Sequence, residues 1–151
     1  MTARRGNALH MTGCMLFWAE GSKSRNCVKF ANSDVNMVAL FKRFLCECFD
    51  VPDERLAIRL NVYLGNGKSL EEIERYWLRA LDLPSTCLRK HSINHFPTSS
   101  SGRKRNRLPH GVATIGVCDT RIAQHIYGAI QEYGGFDEPR WLDCNPVKPA
   151  A

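Results

Sequence analysis

Between residues 56 and 64 the chain alternates without a break: Leu56, Ile58, Leu60, Val62 and Leu64 are separated by Ala57, Arg59, Asn61 and Tyr63. A period of two belongs to a strand with one face in a core and the other in water, so this stretch predicts the clearest strand. Helical spacing appears in three other places. Met37, Val38, Phe41, Phe44, Leu45 and Cys48 share one face, behind a cap at Ser33 or Asp34, and the pattern stops near Asp50, before Val51-Pro52. Leu70, Ile73, Trp77, Ala80 and Leu81 form a second face, opened by Ser69 and Glu72 at capping-box spacing and followed by Pro84. Ile122, Ala123, Ile126, Tyr127 and Ile130 form the third, capped at Asp119 or Thr120 and ended by Gly134-Gly135. Residues 27–31, 86–96 and 110–118 suggest further strands.

The start of the chain differs. Residues 10–20 are almost unbroken in apolar character and predict a helix that buries its length, with Glu20 at its tip and Gly21 to stop it. Residues 21–26 are polar and basic and suit a strand start or a turn. The element order predicts an α+β domain with helices on one side of a sheet and an open polar face on the other. Residues 10–135 form that domain, 1–9 an N-terminal arm and 136–151 a C-terminal tail. A chain of 151 residues suffices for one core, and no tandem repeat is present.

Composition narrows the partners. No apolar run approaches the ~18 residues of a membrane span, and no signal peptide follows the basic start, so a cytoplasmic protein with no membrane partner is expected. The seven cysteines are then expected as reduced thiols acting as small apolar residues. The net charge of +6 points to a polyanion. Arg103, Lys104, Arg105 and Arg107 on a serine-rich loop, with Arg89 and Lys90 before them, suit phosphate contacts. Arg59, Asn61 and Tyr63 lie on the polar face of the alternating strand, with Lys29 from a neighbour. Arg and Asn can pair with base edges in a major groove, and no acid occurs between Arg55 and Glu71.

Glu20 stands where a helix already carries partial negative charge, so it calls for a positive neighbour. A metal ion would make it a catalytic ligand; Lys23 or Arg25 would make it an ordinary ion pair. Cys87, His91 and His95 are four apart, but along a strand they would span ~26 Å at ~3.3 Å per residue, too far for one zinc ion. Zinc is therefore not expected, and no cysteine has the surroundings of a nucleophile. A zinc-stabilised interaction module would need Cys87 and His91 to converge.

Trp18-Ala19-Glu20-Gly21 closing an apolar helix, then short strands, then Asn32-Ser33-Asp34 opening a second helix, resembles the LAGLIDADG homing-endonuclease family. The strand and helix from Leu108 to Gln131 resemble that family's closing unit, so the likeness spans roughly residues 10–133. It implies an αββαββα core with a saddle-shaped antiparallel sheet in the DNA major groove, here with an added strand–helix unit near residues 55–83. It also implies a homodimer paired through the residue 10–20 helix. Glu20 of each chain, assisted by the Ala19 carbonyl, would then bind Mg²⁺ or another divalent cation for site-specific double-strand cleavage. Lys23 and Arg25 would join the DNA contacts, and the protein would be associated with the nucleoid. The alternative is a catalytically silent transcription regulator on the same fold. Glu20 favours the enzyme, whereas the bulky Met15 and Trp18 on the motif helix favour the regulator.

Overall fold

A computed structural model describes residues 7–64, 67–95 and 108–142. The basic loop cluster Arg103, Lys104, Arg105 and Arg107, and Cys144, lie outside the described residues. The chain runs α1 (Ala8–Glu20), β1 (Gly21–Lys23), β2 (Cys27–Asn32), α2 (Val35–Phe49), β3 (Ala57–Leu64), α3 (Leu70–Leu81), β4 (Ser92–His95), β5 (Val112–Cys118), α4 (Thr120–Gly134) and α5 (Pro139–Leu142). The strands form one sheet in the order β1-β2-β5-β3-β4.

Local chemistry sets the helix bounds. The side chains of Asn7, Asp34, Ser69 and Asp119 each accept a backbone N–H of the first turn, supplying acceptors that the helix itself lacks. At the other ends Asp50, Asp82 and Gly135 take left-handed conformations, with φ of 55°, 52° and 70°.

The alternation in β3 is realised residue by residue. Ile58, Leu60 and Val62 are buried while Arg59, Asn61 and Tyr63 are exposed. Val28 and Phe30 of β2 and Ala113, Ile115 and Val117 of β5 complete the inner face. Among the described residues, helices cover that face and not the other. Phe41 of α2 stacks on Phe30 at 4.7 Å between ring centroids and lies beside Phe17 of α1. Each such fully buried side chain is worth roughly 1.5–3 kcal/mol of transfer free energy. Gly13 lets α1 approach α2, because a Cβ there would fall on the Phe44 ring.

The sheet departs from expectation in two ways. The sheet is mixed rather than antiparallel: β4 pairs with β3 in parallel, whereas β1/β2, β2/β5 and β3/β5 are antiparallel. The reason is the connection, since β3, α3 and β4 form a crossover unit that returns the chain in the same direction. β3 sits inside the sheet, hydrogen-bonded on both sides. The expected strand over 86–96 shortens to β4, because Ser85–Cys87 form a 3-10 turn behind Pro84.

The first helix also departs from the reading. His10, Gly13, Cys14 and Phe17 face the core, but Met11 and Trp18 are 45% and 41% exposed, so α1 buries one face and not its whole surface. Cys27 and Cys118 are joined in a disulfide rather than reduced. Cys14, Cys48 and Cys87 are buried thiols outside that disulfide, as small apolar residues would be. Among the described residues no helix is long and apolar enough to cross a membrane.

Candidate nucleic-acid interface

The outward-pointing positions form rows across the strands. Ser22, Lys29, Gly116 and Ala57 make one row; Ala31, Thr114 and Arg59 the next; Val112, Asn61 and Ser92 a third; Tyr63 and Asn94 a fourth. Small residues in the middle make this face concave. Gly116 matters here, because a Cβ would lie 3.0 Å from Cγ of Lys29 and 2.9 Å from the Val28 carbonyl. Glycine therefore lets the Lys29 stem lie across the sheet.

The resulting groove has a volume of about 840 Å³ and, among the described residues, is lined by five cations, Lys29, Arg55, Arg59, Arg89 and Lys90, and by no carboxylate. Two of them are anchored by backbone. Arg89 donates from Nη1 to the Thr86 and Leu88 carbonyls, at 2.9 and 3.1 Å. Arg55 donates from Nη2 to the Cys118 carbonyl and to Asp119 Oδ2, both at 3.3 Å. Burial alone would raise the Asp119 carboxyl, but hydrogen bonds from the Arg121 side chain and backbone, with its charge, hold it below the usual carboxylate range. Among the described residues Lys29, Arg59 and Lys90 have no ion-pair partner. Asn94 donates from Nδ2 to Asn61 Oδ1 at 3.0 Å, so β4 adds an amide to the polar face.

The structure thus gathers Lys29, Arg59, Asn61, Arg89 and Lys90 into one groove and leaves other expected site residues outside it. Tyr63 is exposed one row beyond, and Arg25 is exposed in the β1–β2 turn. Glu20 and Ala19 are exposed at the end of α1, beside the edge strand β1. Lys23 points to the helix side: its Nζ donates to the carbonyls of Phe17, Trp18 and Gly21 at 2.8, 2.8 and 2.9 Å. That ammonium answers the partial negative charge of the helix end. Burial pulls the Lys23 pKa down, and the Glu20 charge opposes the shift. Lys23 therefore serves the helix terminus in the described arrangement. Among the described residues no three His, Cys, Asp or Glu side chains are grouped as metal ligands.

The sequence reading did not include Arg55, Ser92, Asn94 or the disulfide. Arg55 flanks the recognised strand at 56–64, and Ser92 and Asn94 lie inside the expected 86–96 strand, where the alternation of β3 carried onto β4 would have reached both. His91 turns inward, its Nδ1 accepting the Leu60 N–H at 3.0 Å, so it completes the β3 backbone rather than meeting Cys87 at a metal. A buried polar cluster also went unforeseen. His10, fully buried, lies 2.6 Å by Nδ1 from the Tyr133 hydroxyl and 2.9 Å by Nε2 from Nε2 of His125.

Compared with protein-family models, with curated proteins and with solved structures, the chain matches none.

Proposed function

We propose that this chain binds duplex DNA through the open face of its sheet, as a homodimer paired along α1, and cuts it at a specific site with a divalent cation, in the manner of the LAGLIDADG family. The observation that carries the reading is the groove, which among the described residues gathers five cations and no carboxylate over a floor of small residues. Lys29, Arg55, Arg89 and Lys90 would hold phosphates, joined by the Arg103–Arg107 cluster, while Arg59 and Asn61 would meet base edges. In this reading α1-β1-β2-α2-β3-β5-α4 corresponds to the family's αββαββα core, and α3 with β4 is the addition. Two large apolar side chains of α1, Met11 and Trp18, stand exposed and would be covered by pairing through that helix, although their bulk calls for a looser approach than the family's. A DNA partner implies a nucleoid-associated place in the cytoplasm.

For catalysis the donors have the right chemistry. The Glu20 carboxylate and the Ala19 carbonyl are the hard oxygen ligands that Mg²⁺ prefers. One chain supplies one such carboxylate, so the set is complete only with Glu20 of a second copy. Such an ion supplies charge stabilisation at phosphorus and an acidified water. Glu20 would orient that water, and the groove cations would fix the duplex beside it.

A second reading, a DNA-binding regulator without cleavage, is favoured by Lys23. Its ammonium already occupies the carbonyls at the α1 terminus. The two readings separate when the protein is incubated with a randomised duplex library, with and without Mg²⁺, and bound and cut molecules are sequenced. Cuts at one recurring sequence that need Mg²⁺, and that Glu20→Gln abolishes while binding persists, are expected for the enzyme. An enriched site without cuts makes the protein a regulator, and no enrichment removes the DNA reading.

A further inference from the structure

We infer that the Cys27–Cys118 pair is a redox gate on the groove, tightening the grip on DNA when the bond is closed; this rests on the DNA-binding reading above. The two cysteines face each other in the register of β2 and β5. Their neighbours Val28 and Val117 point into the core, so both sulfurs lie on the open face, and Cys118 lines the groove. The bond is reachable by a small thiol and would be covered by a bound duplex. The other described cysteines differ. Cys14, Cys48 and Cys87 are buried, and burial, with Cys48 nearby, pushes the Cys14 thiol up to about 12, leaving little reactive thiolate; Cys46 is half-buried on α2, away from the groove lining, and its thiol too is raised, chiefly by burial.

Placement gives the bond its leverage. Cys27 is the first residue of β2 and Cys118 the last of β5, and strand ends are where ladders open first. The Cys118 carbonyl and the adjacent Asp119 hold the Arg55 guanidinium in the groove. With the bond open, two sulfurs must separate to van der Waals contact, and the strand ends are held by backbone hydrogen bonds and the long 3.4 Å contact from Thr120 Oγ1 to Asn26 Oδ1. Arg55 then loses a fixed anchor.

The chemistry is thiol–disulfide exchange with a dithiol. Its thiolate attacks one protein sulfur, and the other leaves as a thiolate and takes a proton. The second thiol of the reagent then closes its own disulfide and releases the remaining cysteine. The protein gains two electrons and two protons, and the dithiol loses the same. A small-molecule disulfide reverses the reaction. In a compartment poised by glutathione the exposed bond would stand open, and oxidising conditions would close it.

The test compares the native chain oxidised with glutathione disulfide and reduced with dithiothreitol, each freed of reagent and titrated with a fluorescent random-sequence duplex at several salt concentrations. Peptide mapping of the oxidised chain is expected to recover Cys27 linked to Cys118. The oxidised chain is expected to bind about tenfold more tightly, the scale of one charge-assisted contact, with a salt slope steeper by about one. Duplex is expected to slow reduction of the bond, and a Cys27→Val/Cys118→Val chain to lose the redox response. Equal affinity of the two native states, with the linkage mapped, overturns the gate and leaves the DNA reading standing; absence of binding in both states overturns the DNA reading and the gate with it. Failure to recover the linked peptide, or a redox response that survives in the double variant, also overturns the gate. Should that variant not fold, as judged by circular dichroism, the native chain still decides: reduction at the same rate with and without duplex sinks the proposal.

Discussion

Val28 and Lys29 are neighbours in β2, as Leu60 and Arg59 are in β3, yet each pair splits between two environments. Val28 and Leu60 are fully buried beneath helices, while Lys29 and Arg59 line an open groove. The backbone hydrogen bonds are common to both faces, so the difference lies in the side chains alone. On the inner face they are chosen for volume and apolarity. On the outer face they are small in the middle and cationic around it, a choice that contributes little to stability and concentrates positive potential. The comparison teaches that stability and recognition can be altered separately in this sheet.

Four measurements would break or sharpen it. The largest effect is expected at Phe41, which touches Phe17, Phe30 and Phe44 in the core. Phe41→Ala should cost about 3–5 kcal/mol in denaturant titration, and a loss within the range of surface substitutions would contradict the assigned core. Gly13→Ala comes next. With the Phe44 ring in the way, overpacking of about 1–3 kcal/mol is expected, while duplex affinity in the folded fraction stays unchanged. Arg59→Ala inverts that pattern. Its stability change should stay within about 0.5 kcal/mol, whereas duplex binding weakens by about 1–3 kcal/mol with altered base preference. Equal binding by mutant and parent would remove the groove from recognition.

The smallest effect concerns acid. The carboxyl of Asp119 is held below its ordinary range in the folded protein. A depressed folded pKa means that its stabilisation is complete above the unfolded value and is lost as pH falls through the folded one. The native chain should thus lose this contribution below about pH 4. Asp119→Asn, which can still cap α4, should flatten that part of a pH–stability profile. A profile identical to that of the parent would show that the Asp119 network adds nothing to stability.

Whatever depends on short-range pattern was legible in the sequence. The alternation of residues 56–64 located β3 and both of its faces, and the caps Asp34, Ser69 and Asp119 fixed three helix starts to within a residue. Lys29, Arg59, Asn61, Arg89 and Lys90 were named from charge and alternation, and they line one groove. What escaped depends on pairing across distance. Cys27 meets Cys118 across 91 residues, and His10 meets His125 and Tyr133 across 115 and 123. No local period marks those partners. The parallel addition of β4 is likewise a matter of connection, and the exposed side of α1 is set by where α2 and α4 come to lie. Lys23 illustrates a different limit. Two residues beyond Gly21 it could face DNA or turn back onto the helix, and only the β1–β2 register decides.

The sheet order also has a consequence in time. β5 lies between β2 and β3, although it follows both in the chain by many residues. A growing chain that has made everything up to β4 holds two sheet edges with nothing between them, and neither can be satisfied until residues 112–118 emerge. Assembly that waits on such distant pairing is slow and leaves unpaired edges prone to association. A nascent or truncated chain lacking β5 should therefore be a client for chaperones, and the commitment to fold waits for that strand.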